Sequence, residues 1–220
     1  MLKKLRPFLG YKLSGRNSGI GTVKDFYFDE NSWAVRYVIA DTGSWLAGRQ
    51  VLFAPCAVIA ANEARRLLSV DASRKQIEGS PALSFGMPVS RQFEGDYLDY
   101  YGLPRYWSGG RAWDCRLRTI SAATGLKIQA LDGEIGQVED FVVDDRTWMV
   151  YYLVVATRNR WIKGEVLVSP RWIDHVSWDN SKIFVHISAE TVMKSPEYGS
   201  EALLTTEYEI GLHRHYGLIG

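Results

Sequence analysis

Apolar and polar residues alternate along several short segments of the chain, most clearly over residues 33–39. Every second position there carries a large apolar side chain: Trp33, Val35, Tyr37 and Ile39. A period of two predicts a β-strand with one face in a core. The preceding apolar segment, 20–28, breaks this alternation between Val23 and Phe26, which predicts a β-bulge. Residues 29–32 between the two segments have the composition of a hairpin turn.

The same pattern returns 115 residues further along the chain. In the twenty positions from 20 to 39, nine residues are identical to their counterparts at that offset: Ile20, Gly21, Val23, Asp25, Phe26, Asp29, Trp33, Val35 and Tyr37. Chance gives about one or two identities in such a window. Since the register spans nearly a whole half, it predicts two copies of a small domain, each with its own core. The predicted domains are 1–107 and 115–220, with a Gly-rich linker at 108–114.

Other segments complete the picture of one copy. Further short strands are predicted at 11–14, 51–54, 58–61 and 67–71. Ser73 with Gln76, and Thr206 with Glu209, have the spacing of helix-capping boxes. Residues 90–101 carry an aromatic helix face at 93, 97, 100 and 101, which the copy repeats at 208, 212, 215 and 216. The pattern predicts a mainly β chain of two small antiparallel barrels or sandwiches, each followed by a helix.

Composition and charge narrow the class of protein. Among 220 residues, 13% are aromatic, which excludes a disordered chain. The net charge of +1 excludes a simple basic nucleic-acid binder. It is the sum of +4 for 1–110, with 14 basic and 10 acidic residues, and −3 for 111–220, with 12 and 15. Opposite signs favour packing of the halves on each other.

Cysteine content and hydropathy address the compartment. Two cysteines, Cys56 and Cys115, cannot form a disulfide framework and fit a reducing compartment. Cys56 lies within an apolar run and is expected to be a buried small thiol. The amino end lacks a stretch of signal-peptide length, and no apolar run approaches the ~20 residues of a membrane span. These features predict a cytoplasmic protein.

Three patterns imitate chemical sites without fulfilling them. Residues 43–50 have the glycine spacing of a phosphate-binding loop, but Arg49 and Gln50 replace its Lys and Ser or Thr, which favours a plain loop. His213 and His215 stand two apart on a helix and cannot share a metal ion. Paired carboxylates at 29–30 and 144–145 are typical of solvated turns. The sequence therefore predicts no cofactor, no metal and no catalytic residue.

Aromatic residues in loops are the better candidates for a site. Trp45 and its copy Trp161 lie outside the strand period, and each serves either as a core plug or, with Arg49, as an anchor in a protein interface. Tyr106 and Trp107 precede the linker and have no aromatic copy, so they are expected to pack between the two domains.

Six segments taken together resemble the PRC-barrel family: Gly-Glu-Ile-Gly-x-Val-Glu-Asp-Phe at 133–141, Asp-Asp-x-x-Trp at 144–148, Tyr-Leu-Val-Val at 152–155, Val-Leu-Val-Ser-Pro at 166–170, Ser-Pro-Glu-Tyr at 195–198 and Asp-Tyr-Tyr-Gly-Leu-Pro-x-Tyr-Trp at 99–107. This family includes the cytoplasmic barrel of the photosynthetic reaction-centre H subunit, stand-alone bacterial relatives and the carboxy-terminal domain of a ribosome-maturation factor. The resemblance covers both halves. It implies two SH3-like barrels of about six strands with an appended helix, used for protein interaction.

The leading functional hypothesis is a non-enzymatic adaptor of two PRC-barrel repeats that binds an unidentified protein partner. The fused pair would be an intramolecular pseudo-dimer, equivalent to a homo-oligomer of single-barrel relatives, since twofold interfaces are the commonest kind. One alternative is a small-molecule-binding or catalytic protein with a site between the barrels. Another is a peripheral component of photosynthetic reaction-centre or membrane-complex assembly.

Overall fold

The computed structural model describes residues 1–83, 89–106, 117–157, 164–196, 198–199 and 205–216. The strands of the first half are β1 Leu2–Lys4, β2 Lys12–Ser14, β3 Gly19–Asp29, β4 Ala34–Asp41, β5 Gln50–Phe53, β6 Val58–Asn62 and β7 Leu67–Val70, and its helices are α1 Arg74–Gly79 and α2 Arg91–Tyr101. The second half contains β8 Leu117–Thr119, α3 Ile120–Ala123, β9 Lys127–Gln129, β10 Glu134–Asp144, β11 Val150–Thr157, β12 Glu165–Val168, β13 Ile173–Ser177, β14 Lys182–Val185, α4 Ala189–Met193 and α5 Thr206–His215. Single 3-10 turns follow β1, β4, β5 and β12.

The described residues form two sheets of seven strands with the same topology. One has the order β5-β4-β3-β2-β7-β6, with β8 also paired to β3, and the other has the order β12-β11-β10-β9-β14-β13, with β1 also paired to β10. Most neighbours are antiparallel, but β2 with β7 and β9 with β14 are parallel. The prediction of a mainly β chain with an internal repeat is confirmed. Closure into barrels stays a prediction, since β5 and β6 are not paired with each other in the described part of the chain.

The first strand of each copy pairs with the sheet of the other copy. β1 pairs with β10, and β8 pairs with β3, in equivalent registers: Leu2 lies opposite Asp144, and Leu117 lies opposite Asp29. The compact units are accordingly Pro7–Ser121, and Met1–Arg6 with Ala122–Gly220. These boundaries differ from the predicted ones because β1 and β8, of three residues each, belong to the unit that contains their pairing strand and not to the unit of the strands that follow them in sequence. The predicted linker at 108–114 lies outside the described residues.

We call β1 and β8, each with the two residues that follow it, the exchanged segments, because each pairs with the sheet of the other copy. A buried aspartate at a β-bulge binds each of them. The register of β3 shifts between Val23 and Asp25, and that of β10 shifts between Val138 and Asp140, as the sequence predicts for the first of them. Asp25 Oδ1 accepts hydrogen bonds from the backbone N–H of Phe26 (2.8 Å) and of Ser121 (3.3 Å). A carboxylate at a bulge can accept amides that the ladder leaves unpaired, which explains the polar residue at a buried position.

The second copy reproduces this arrangement with Asp140. Its Oδ1 accepts from the N–H of Phe141 (2.7 Å) and of Arg6 (2.9 Å). Arg6 and Ser121 are themselves 115 residues apart, so each aspartate binds the segment that follows the exchanged strand. Burial raises the pKa of both carboxyls above the ordinary value, and the backbone amides lower it in part.

The hairpin turn before β4 is confirmed, but the strand begins later and is more buried than the alternation predicts. Trp33 lies in the turn with a left-handed backbone (φ 53°), and its copy Trp148 does the same (φ 57°). Of the eight residues of β4, only Arg36 and Asp41 are partly exposed. Tyr37 and Ile39 belong to a cluster with Tyr97 and Leu98 of α2, and Val38 and Ala40 on the opposite face are fully buried as well.

The helices follow the sequence prediction with one correction. Ser73 and Gln76 form the expected capping box of α1. Helix α2 begins after the N-cap Ser90 and ends at Gly102 in a left-handed conformation (φ 64°). The cap of α5 is Thr205, whose hydroxyl accepts from the N–H of Tyr208, so the predicted box starting at Thr206 is wrong by one residue. No helix in the described ranges is long and apolar enough to cross a bilayer.

Candidate functional site

Trp45 occupies the 3-10 turn at 43–46 that follows β4. Its indole Nε1 donates to the carbonyl oxygen of Ile20 at 2.5 Å, and the guanidinium of Arg74 lies 4.7 Å from the ring centroid. The side chain is half-buried. The hydrogen bond fixes the loop against the start of β3. The guanidinium of Arg74 makes a cation–π contact with the ring, which stays partly exposed.

Arg49 holds the end of helix α1. Its guanidinium donates to the carbonyl oxygen of Glu78 (3.2 Å) and to the carbonyl oxygen of Ser80. The last carbonyls of a helix lack intrahelical partners, and a cation there satisfies them and opposes the helix dipole. Arg49 is thus a positioning residue for α1 in this structure. Trp107 and Trp161, the other aromatic candidates, lie outside the described residues.

Tyr106 belongs to a cluster centred on Glu94, a carboxylate of α2 with no exposed surface. The hydroxyl of Tyr106 donates to Glu94 Oε1 at 2.6 Å, and that of Tyr37 donates to the same oxygen at 2.9 Å. Arg91 Nη1 donates to Glu94 Oε2 at 3.2 Å. These four residues form the Glu94 cluster. It lies within the unit Pro7–Ser121 and joins β4, α2 and the segment after α2.

The charges around the Glu94 cluster explain how a carboxylate is tolerated there. Arg91 forms an ion pair with it, and the guanidinium of Arg36 lies 3.9 Å from the centroid of the Tyr106 ring. A buried charge is stable only when it is paired and its lone pairs are used. Burial, followed by the negative charge of Glu94, raises the pKa of the Tyr37 hydroxyl strongly, so Tyr37 remains a hydrogen-bond donor.

In the second copy the tyrosine beneath the helix binds a different residue of that helix. Tyr152 corresponds to Tyr37, but its hydroxyl makes a 3.0 Å hydrogen bond with His213 Nε2. Glu209 corresponds to Glu94 and is partly exposed. Burial raises the pKa of Tyr152 to about 12. Sequence reasoning missed the Glu94 cluster because Glu94 has the spacing of an ordinary helix residue, and Tyr37, the partner that buries it against β4, lies 57 residues away in the chain.

Histidine and cysteine side chains do not assemble a reactive site in the part of the chain that is described. No group of three or more His, Cys, Asp or Glu residues there could hold a metal ion. His213 contacts Tyr152, and His215 Nε2 lies 2.8 Å from the carbonyl oxygen of Thr191. The expectation that Cys56 is buried is wrong: it lies exposed in the 3-10 turn after Pro55, where the apolar run leaves the sheet. Cys115 lies outside the described residues.

The outer strand β6 exposes an uncharged surface. Its last four residues, Ile59, Ala60, Ala61 and Asn62, are all exposed, and Ile59 keeps 65% of its surface accessible. Within the described ranges the strand pairs with β7 alone. In the equivalent strand β13, the position of Ile59 is taken by Asp174, whose Oδ2 makes a 2.7 Å hydrogen bond with His175 Nδ1. The two copies thus present outer edges of opposite character.

No family model matches the chain, and no curated protein matches it.

Proposed function

We propose that the chain is a non-enzymatic protein-interaction module built from two PRC-barrel-like domains, and that it binds a partner strand along β6. The uncharged, exposed edge of β6 carries this proposal. Proteins usually protect the outer strand of a sheet with charged residues, and β13 carries the exposed carboxylate of Asp174. An unprotected edge suits a partner that adds an extended strand by main-chain hydrogen bonds. The partner is expected to present small or apolar side chains opposite Ile59 and Ala61.

The connection between β5 and β6 supports curling of each sheet into a barrel. These are the first and last strands of the main sheet order, and only residues 54–57 separate them. Five Cα–Cα steps span at most ~19 Å. A flat sheet would hold two strands five positions apart at roughly 24 Å. The short turn therefore favours a sheet that curves back on itself, and residues 169–172 make the same connection between β12 and β13. In the described residues this curvature does not pair β5 with β6, so the outer edge of β6 keeps its backbone groups for a partner strand.

The buried polar groups support a structural role more than a catalytic one. Asp25 and Asp140 bind backbone amides of the exchanged segments, and Glu94 is bound by two tyrosines and an arginine. A catalytic carboxylate needs access to a substrate proton. These three carboxylates use their oxygens within the fold.

The substitution Ile59→Lys tests strand addition, with Asp174→Lys as the matched control at the equivalent position of the second copy. Tagged chains are used to capture partners from the native host at moderate salt, and recovered proteins are quantified by mass spectrometry. We expect Ile59→Lys to reduce a specific partner at least tenfold and Asp174→Lys to leave it unchanged. Equal recovery with both variants and the unmodified chain would contradict binding at β6.

A further inference from the structure

The exchanged strand β1 meets acidic partners in the sheet of the second copy. Lys4 Nζ forms an ion pair with Glu165 Oε2 at 2.9 Å. Arg6 Nη1 forms one with Glu139 Oε2 at 3.0 Å. The terminal ammonium of Met1 lies 2.6 Å from Asp145 Oδ1. We call the place along β10 that receives residues 1–6 the second slot, and the equivalent place along β3, which receives β8, the first slot.

The first slot lacks this acidic lining. At the offset of 115 residues, Glu139 corresponds to Lys24 and Glu165 to Gln50. If β1 folded onto β3 of its own copy, Arg6 would stand opposite Lys24, and Lys4 would have no carboxylate in place of Glu165. Like charges at close positions disfavour a pairing, and opposite charges favour it. The two slots therefore differ most at the residues that β1 contacts with its basic side chains.

The strand β8 does not need acidic partners at these two positions. At the positions of Lys4 and Arg6 stand Thr119, the last residue of β8, and Ser121 in α3, which are both neutral. Its Arg118 pairs with Glu30 of the first slot at 3.3 Å, and the second slot offers Asp145 at the equivalent position. The charges of β8 are therefore compatible with either slot. It occupies the first slot, because β1 occupies the second.

The features shared by the slots hold a strand without selecting it. Asp25 and Asp140 each accept a hydrogen bond from the backbone N–H of the second residue after the exchanged strand, and the strand registers are equivalent. Hydrogen bonds to a backbone amide do not distinguish one side chain from another. Selection must come from the side chains that differ.

We propose that the second slot is a binding site selective for a basic extended strand, that residues 1–6 of the same chain are its ligand, and that Glu139 and Glu165, with Lys24 as the repelling residue of the first slot, direct the exchange. The ligand class is a short strand that ends in a basic residue and is followed two positions later by a second basic residue. This specificity is independent of what binds at β6.

Disulfide trapping in the full chain tests the choice of slot. In a Cys56→Ser, Cys115→Ser background, Leu2→Cys is combined with Asp144→Cys to report the exchanged pairing, or with Asp29→Cys to report the unexchanged one. Cα atoms of directly paired residues lie about 4.5–5.5 Å apart, within disulfide reach. Leu117→Cys with Asp29→Cys, the observed register of β8, shows that a cysteine at 29 can form the bond. Products form in a glutathione redox buffer and are quantified by peptide mass spectrometry.

With native charges, we expect the bond between 2 and 144 to exceed that between 2 and 29 at least tenfold, within monomers. Transferring the acidic pair by Lys24→Glu, Gln50→Glu, Glu139→Lys and Glu165→Gln should shift this ratio about tenfold toward 29, because two ion pairs move from one slot to the other. The single variant Lys24→Glu, at an exposed position, should shift it in the same direction by a smaller factor. Circular dichroism checks that each variant is folded.

Three results would overturn the proposal. Equal trapping at 29 and 144 with native charges would show that the slots are not distinguished. An unchanged ratio in both charge variants would show that charge does not select. Disulfides between chains, seen as dimers on non-reducing gels, would assign the strand to a second copy.

Discussion

The two copies share their backbone architecture and differ in what lies beneath their helices. Both have the bulge with its buried aspartate and a tryptophan with a left-handed backbone before the central hairpin strand. Under α2, however, Tyr37 binds the buried Glu94, whereas under α5 Tyr152 binds His213. Features that shape the sheet thus tolerate little change, because every neighbouring strand depends on them. Helix contacts are local and can be exchanged for others.

The sheet features should be equally sensitive in both copies. A Cβ at Gly21 would lie 1.9 Å from the carbonyl oxygen of Asp41, and one at Gly136 would lie 2.0 Å from that of Ala156. Since these oxygens belong to backbone, each Gly→Ala substitution should cost about 3 kcal/mol in urea unfolding. Gly133→Ala, with no atom within 4 Å, is the control. A large cost in only one copy would show that the sheets are not equivalent.

The Glu94 cluster should make the first copy more sensitive at its helix. Glu94→Gln removes a buried charge bound by two hydroxyls and a guanidinium, and should lower the free energy of unfolding by about 2–3 kcal/mol. Glu209→Gln changes a partly exposed residue and should cost less than about 0.5 kcal/mol. Chemical denaturation of both variants measures the contrast, and similar costs would contradict it.

The tyrosines beneath the helices should show a smaller contrast. Tyr37→Phe removes a donor to a charged acceptor, for which we expect a loss of about 2 kcal/mol. Tyr152→Phe removes a hydrogen bond to a histidine and should cost about 1 kcal/mol. Thermal and urea unfolding would report the order. The reverse order would indicate that the bond to His213 is the stronger one.

The smallest expected effect is a shared dependence on pH. Because burial raises the pKa of Asp25 and Asp140 in the folded chain, the folded state holds these protons more tightly than the unfolded state. Their contribution to stability is therefore present below the ordinary carboxyl pKa and is lost as pH rises through the folded value. Relative to Asp25→Asn or Asp140→Asn, the unmodified chain should be more stable at pH 4 than at pH 7. Urea unfolding at both pH values measures this, and a constant difference would contradict it.

Local signals predicted much of the fold. The hairpin turn, the bulge near Asp25 and the cap at Ser73 all depend on residues close together in sequence, and the structure contains each of them. The sequence did not predict that both faces of β4 are buried. Alternation of apolar and polar residues indicates one buried face, whereas the second face is buried by α2, which comes from a distant segment of the chain. Arg49 was a candidate interface residue by type, and only its contacts with Glu78 and Ser80 assign it to the end of α1.

The sequence by itself determined that there are two copies and where most strands other than β1 and β8 lie, since a period of two and a 115-residue register are properties of the chain alone. Only the tertiary structure decided which sheet receives β1 and β8. A strand of three residues, such as β1 or β8, is too short for its sequence pattern to predict its pairing strand. Both sheets also offer it the same register and an equivalent aspartate. The choice depends on charges such as Glu139 and Lys24, which become comparable only once the strands are in place.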